Sequence, residues 1–140
     1  MKNHDLFHSI HQLSRQLIKH LNEALEPFGL YNSQWSVLYV LKTKGTLTQT
    51  ELCQYLAVEA PPMTRTIQRL IKLGLVEQIP GNDRRVKYIH LTDFAMDKYP
   101  EWEQAVLQKN QKLINQFPLD SQEELLSLIT SWLNSFPDNN

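Results

Sequence analysis

Cysteine is almost missing from this chain: Cys53 stands alone among 140 residues, so no intramolecular disulfide and no multi-cysteine metal site can be built. Glycine occurs only four times, and neither a glycine-rich phosphate loop, a nucleophile elbow nor a His-Glu-x-x-His metal motif is present. Long apolar runs are also lacking. The longest uncharged stretch, around Trp35 to Leu41, falls far short of the roughly 20 residues a bilayer span needs. No basic segment leads into an apolar run at the N-terminus. These absences argue against an enzyme and a membrane protein, and predict one cytoplasmic domain whose core holds by packing alone, with no cofactor and no metal.

Acidic residues are scarce in one segment. Residues 61–91 carry six Lys/Arg against two Asp/Glu, a balance of +4, whereas residues 1–60 are matched at five against five and residues 92–140 carry three against eight. Such a basic block inside a chain of net charge −1 points to an anionic partner, because a merely solvated face usually mixes its signs.

What is present is mostly helical periodicity. Leu6, Ile10, Leu13, Leu17, Leu21, Ala24 and Phe28 recur at spacings of three and four, predicting a long amphipathic helix that ends near Pro27 and needs a partner. A second helix should begin after Asn32-Ser33 and run through Trp35, Leu38 and Leu41 to Gly45. A third is marked twice, by a capping box at Thr48 and Glu51 and a hydrophobic staple of Leu47 and Leu52, and should end around Val58. Pro61 and Pro62 fit only a first helical turn, so a fourth helix spans about Pro61 to Leu73, with Gly74 closing it. The period then drops to two. Val76–Ile79 and Val86–Leu91 flank a turn at Pro80–Asp83 and predict a hairpin with a charged tip. Thr92 should cap a fifth helix that reaches about Phe117, carries Phe94, Met96, Trp102, Val106, Leu113 and Ile114, and is kinked or frayed at Pro100. A sixth should begin at Asp120 or Ser121.

Helix, short helix, turn, helix and hairpin is the layout of a winged helix-turn-helix, whose last helix enters the major groove of DNA while the hairpin grips the adjacent backbone or minor groove. In the fourth helix, Met63, Ile67, Leu70 and Ile71 form the expected apolar stripe, leaving Thr64, Arg65, Gln68, Arg69 and Lys72 opposite with no acid among them. Arg can pair with guanine, Gln with adenine, and Lys and Thr with phosphates. With Pro61 and Pro62 at its start, this is the candidate recognition helix. Asp83, Arg84, Arg85 and Lys87 make the candidate wing, with Asp83 steadying an Arg and Arg85 reaching into a narrow minor groove.

The run Leu47-Thr48-Gln49-Thr50-Glu51-Leu52, then Met63-Thr64-Arg65 to Leu70, Leu73-Gly74-Leu75-Val76, Asp83-Arg84-Arg85 and Leu91-Thr92 resembles the MarR family of bacterial transcription regulators in both order and spacing. The resemblance covers nearly the whole chain. It implies a mainly α fold: a winged helix-turn-helix lobe over residues 31–92, flanked by dimerisation helices over 1–30 and 93–140. It also implies a homodimer that acts as a repressor on a near-palindromic double-stranded DNA operator, and release by a small aromatic or phenolic effector in a crevice that His11, Tyr31, Trp35 and Tyr39 would line. Two places depart from the family pattern: Pro80, Gly81 and Asn82 replace the Asp-x-Arg that often precedes Asp-Arg-Arg, and Ala95 stands where Gly is usual.

The rival reading is a dimeric helical adaptor that binds protein, which would not need Arg65, Gln68, Arg69 and Arg85 on one outer surface. His4, His8 and His11 share a helical face, and a polar stretch facing a dimer partner explains them better than a metal site. Cys53, spaced with Leu52 and Leu56, belongs to a core rather than to a redox switch. The sequence specifies neither the operator nor the regulated genes.

Overall fold

The computed structural model describes residues 3–83 and 85–137. In chain order these form α1 (Asn3–Leu25), a 3-10 turn (Glu26–Phe28), α2 (Asn32–Lys44), β1 (Leu47–Thr48), α3 (Gln49–Leu56), α4 (Ala60–Lys72), β2 (Val76–Pro80), β3 (Lys87–Leu91), α5 (Asp93–Ile114) and α6 (Leu119–Asn134). The helices begin and end close to the expected punctuation. Helix α1 passes into the 3-10 turn at Pro27, and Gly29, in the left-handed region at φ +70°, lets the chain reverse toward α2. The capping box of α3 is formed in both directions: Glu51 N–H donates to Thr48 Oγ1 at 3.1 Å, and Thr48 N–H donates to Glu51 Oε1 at 3.0 Å.

One strand escaped the sequence reading. Leu47 and Thr48 form a two-residue strand that pairs antiparallel with β3, opposite Ile89 and Tyr88, so the hairpin is part of a three-stranded sheet in the order β1–β3–β2. Two residues are too few to show a period, and the stronger helix-start signal at the same place hid the pairing. The rest of the sheet follows the expected register, with Val76 opposite Leu91 and Pro80 opposite Lys87. Pro80, which has no N–H for the ladder, occupies the end of its strand.

The core lies between α2, α3, α4, the sheet and the first half of α5. Leu38, Leu52, Ile67, Leu70 and Ile89 are fully buried there, joined by Leu25, Leu30, Met63, Val76 and Ala95. The inward face of α5 corrects the expectation from sequence: Phe94 and Met96 face out, and Ala95, Tyr99, Trp102 and Val106 point into the core. Their spacing of four, three and four is a better helical stripe, disguised because Tyr99 adjoins Pro100 and Ala95 is small. The helix continues through Pro100 and ends at Ile114, three residues before Phe117. Tyr99 stacks on Trp35 with ring centroids 5.3 Å apart and meets Trp102 edge-on at 6.2 Å, locking α5 onto α2.

Thr92 joins the hairpin to α5. Its N–H donates to Leu75 O at 3.1 Å and its hydroxyl to Gly74 O at 2.7 Å, while Thr92 Oγ1 accepts from Ala95 N–H at 3.1 Å as the helix cap. On the far side, Lys109 of α5 donates to Glu23 Oε2 of α1 at 3.4 Å. This hydrogen bond, aided by His20 at 3.4 Å, holds the Glu23 carboxyl below its ordinary pKa. No helix among the described residues is long and apolar enough to cross a membrane.

Candidate nucleic-acid interface

The turn between α3 and α4 is closed by Ala57 in the left-handed region, φ +53°, where Val58 N–H donates to Cys53 O at 3.0 Å. Helix α4 then starts at Ala60 with Pro61 and Pro62 in its first turn, and Met63 N–H makes a bond of 3.2 Å to Glu59 O. The two prolines remove two of the free amides that a helix start normally offers an anion. Contact between α4 and a polyanion therefore depends on side chains.

Those side chains occupy the expected face. Arg65, Gln68, Arg69 and Lys72 are exposed and, together with Ile71, line a shallow depression of about 460 Å³. Ile71 corrects the expected stripe: Met63, Ile67 and Leu70 are buried, but Ile71 is 39% exposed and sits among the basic residues. One residue beyond Leu70, it falls about 100° around the helix and misses the core. Thr64 is only half-buried and is engaged from α3, where Gln49 Nε2 donates to Thr64 Oγ1 at 2.7 Å. The sequence reading placed Thr64 correctly on α4 but missed Gln49, because nothing in a linear pattern signals a contact fifteen residues away.

At the wing, Gly81 N–H donates to Val86 O at 2.9 Å and Val86 N–H to Asp83 O at 2.9 Å. The Asp83 carboxylate accepts from Arg85 N–H at 3.0 Å and lies 3.7 Å from Arg85 Nε. Asp83 thus orders the backbone of the tip as well as facing the guanidinium. Arg85 is 92% exposed, so its ion pair adds little stability and leaves the side chain available. Tyr88 packs over Gly81, where a Cβ would approach its ring to 2.8 Å, and Lys87 is exposed at the start of β3. Arg84 lies outside the described residues. At the root of the wing, His90 Nε2 and Glu77 Oε2 are 2.9 Å apart across directly paired positions.

The proposed effector residues differ in their exposure. Trp35 belongs to the core against Tyr99, Tyr39 lies 6.2 Å from Trp35 with its ring half in solvent, and His11 and Tyr31 are exposed on α1 and before α2. Tyr99 is missing from that group although its hydroxyl is buried without a hydrogen-bond partner among the described residues. Burial first, then Glu103 and Tyr39, push its pKa up to about 12. The Cys53 thiol packs against the core, and burial, followed by the charge of Glu59, raises its pKa, which disfavours the reactive thiolate.

A short helix, a turn, a basic helix and a sheet-anchored hairpin define a winged helix-turn-helix protein. The sequence profile of the MarR family matches residues 28–86. The uncharacterized HTH-type transcriptional regulator YwoH of Bacillus subtilis (strain 168) is 45% identical over 131 residues, 94% of this chain and 96% of that protein. The multiple antibiotic resistance protein MarR of Escherichia coli (strain K12) is 33% identical over 84 residues, 59% of this chain and 58% of that one. A crystal structure of mutant MarR from E. coli complexed with operator DNA has a TM-score of 0.84 at 28% identity, over 92% of this chain and 94% of that chain. The chain belongs to the MarR family and is a transcription regulator, not an enzyme.

Proposed function

We propose that this protein represses transcription by binding a near-palindromic DNA operator as a homodimer. The observation that carries the reading is the face of Arg65, Gln68, Arg69 and Lys72 on α4, free of carboxylates, in a chain that also presents an exposed Arg85 at the tip of its wing. The operator DNA bound by the related E. coli MarR supports the same partner. In this division of labour, residues 31–92 read DNA, with Arg65 and Gln68 on base edges, Arg69 and Lys72 toward phosphates, and Asp83, Arg85 and Lys87 at the wing. Residues 1–30 and 93–140 join two copies. The support for pairing is the apolar surface left outside the core: Leu6, Ile10, Leu13 and Leu17 on α1, and Leu126, Ile129 and Leu133 on α6, are all exposed. The reading extends to release by a small aromatic or phenolic effector near His11, Tyr31, Trp35 and Tyr39, supported by the exposed Tyr39 ring beside Trp35.

The test is to select bound fragments from the source genome and titrate the protein against them at several salt concentrations. Half-sites about 10 base pairs apart, centre to centre, are expected from two recognition helices related by a two-fold axis. Arg65→Ala should cost about 1–3 kcal/mol and relax base preference, whereas Lys72→Ala should weaken all sequences alike and flatten the salt slope. A wild-type protein that enriches no sequence, or binds without salt dependence, overturns the reading in favour of a protein-binding adaptor.

A further inference from the structure

A hydroxyl has one proton to give and two lone pairs to receive, and the company it keeps decides which it offers to a partner. Thr64 Oγ1 receives the amide proton of Gln49 Nε2 at 2.7 Å, across the turn that separates α3 from α4. An amide nitrogen is only a donor, so this contact consumes a lone pair of Thr64 and leaves its proton uncommitted. A helical threonine commonly gives that proton to the carbonyl four residues back, here Ala60, but no such bond is found among the described residues. Thr64 also lies four residues before Gln68, which places the two on one helical face, beside Arg65. Gln49 is itself fixed at the first residue of α3 by the Thr48–Glu51 capping box.

We propose that Gln49 is a positioning residue that makes Thr64 a hydrogen-bond donor toward DNA, so that Thr64 contacts an acceptor atom, a phosphate oxygen or a base acceptor, and Gln49 acts only through it. The inference rests on the DNA-binding reading and adds to it a polarity and a residue outside the recognition helix. Gln49→Leu deletes the amide and lets the Thr64 proton turn back to the helix. Gln49→Glu keeps a partner for Thr64 but reverses it, since a carboxylate can only accept. Thr64→Val removes the hydroxyl at nearly constant shape, and Thr64→Ser restores it.

The experiment is equilibrium binding of the full-length variants to the selected operator at fixed salt, with unfolding midpoint and oligomeric state recorded for each. Gln49→Leu and Thr64→Val should each weaken binding at least about fivefold, the scale of one hydrogen bond, and together no more than the worse of the two. Thr64→Ser should stay within about twofold of wild type. Gln49→Glu should lose more in the Thr64 background than in the Thr64→Val background, where only its charge acts. A loss with Thr64→Val that is uniform over operator sequences identifies a phosphate acceptor and supports a donor; one confined to a single base pair supports a donor when deleting that pair's acceptor atom abolishes it, and overturns the proposal when deleting its amino group does. Multiplying losses in the double variant, Thr64→Ser as weak as Thr64→Val, or wild-type binding by Thr64→Val overturns the proposal. In each of those cases, Arg65→Ala still losing affinity keeps the DNA-binding reading intact; a wild type that binds no selected fragment removes both.

Discussion

The lobe that holds α3, α4 and the sheet differs sharply from the pair α1 and α6. In the lobe, the apolar stripe of each element ends against another element of the same chain: Leu52, Met63, Ile67, Leu70 and Ile89 are fully or almost fully buried. Along most of α1 and all of α6 the same residue types remain in solvent, and α6 contributes no residue to the core among those described. Even where the two outer helices meet, as Phe7 and Trp132 do edge-on at 5.6 Å, both rings stay partly exposed. The contrast teaches that the lobe buries its apolar surface by folding, whereas the outer helices leave theirs open within one chain, as the surface that the proposed homodimer would cover.

The strongest way to test that contrast is to shorten a leucine in the lobe and to place charges on the leucines of an outer helix. Leu70→Ala should lower the free energy of unfolding by about 2–5 kcal/mol, read from denaturant titration, because a fully buried site collapses only in part around the cavity. On the outer helices a charge should act on association instead. Leu126→Glu combined with Leu133→Glu should raise the dimer dissociation constant about a hundredfold or more, on the order of 3 kcal/mol, while circular dichroism shows the helices retained. Sedimentation of the wild type at micromolar concentration as a stable monomer would break the comparison.

A third variant sharpens the boundary between the regions, where Tyr99 sits. Tyr99→Phe should stabilise the fold by about 1 kcal/mol near neutral pH, since it removes a buried hydroxyl that lacks a partner. It should also change the alkaline limb. With the folded-state pKa near 12, above the ordinary value of 10.0, the unfolded chain ionises first, so stability should fall as pH rises through 10 and level off above about 12. Thermal unfolding over that range should show the tyrosine's share of this slope missing in Tyr99→Phe; identical slopes would mean that the hydroxyl is solvated. The smallest effect on stability belongs to the wing. Arg85→Ala should change unfolding by less than about 0.5 kcal/mol, yet reduce the preference for A·T-rich over G·C-rich operator flanks measured at one salt concentration.

The legible parts of the molecule were those whose cause is local. Thr48 and Glu51, Pro61 and Pro62, Gly74 and Thr92 each act on residues within one turn, and the helix boundaries they predicted are close to those observed. The basic face of α4 was legible for the same reason, since one helical period fixes which residues lie opposite Met63, Ile67 and Leu70. What stayed hidden depends on separation along the chain. The pairing of Leu47 with Ile89, the bond from Gln49 to Thr64 and the stacking of Trp35 on Tyr99 link residues 42, 15 and 64 positions apart. Ile71 shows a subtler failure: its apolar side chain suggested burial, but the angle of its position on the helix decided against it.

Thr48 and Thr92 have a mechanical consequence. Thr48 is at once a residue of the sheet and the cap of α3, and Thr92 closes the base of the hairpin while capping α5. Each is a joint with no slack, since one residue cannot turn with its helix and stay with its strand. These shared residues couple the wing to the helix-turn-helix and both to α5, so a rotation of one should carry the others with it. In the proposed homodimer, two such arms on shared outer helices would have one useful coordinate, the angle between them, and a small rotation at Thr92 would be magnified at the wing tip by the length of the arm.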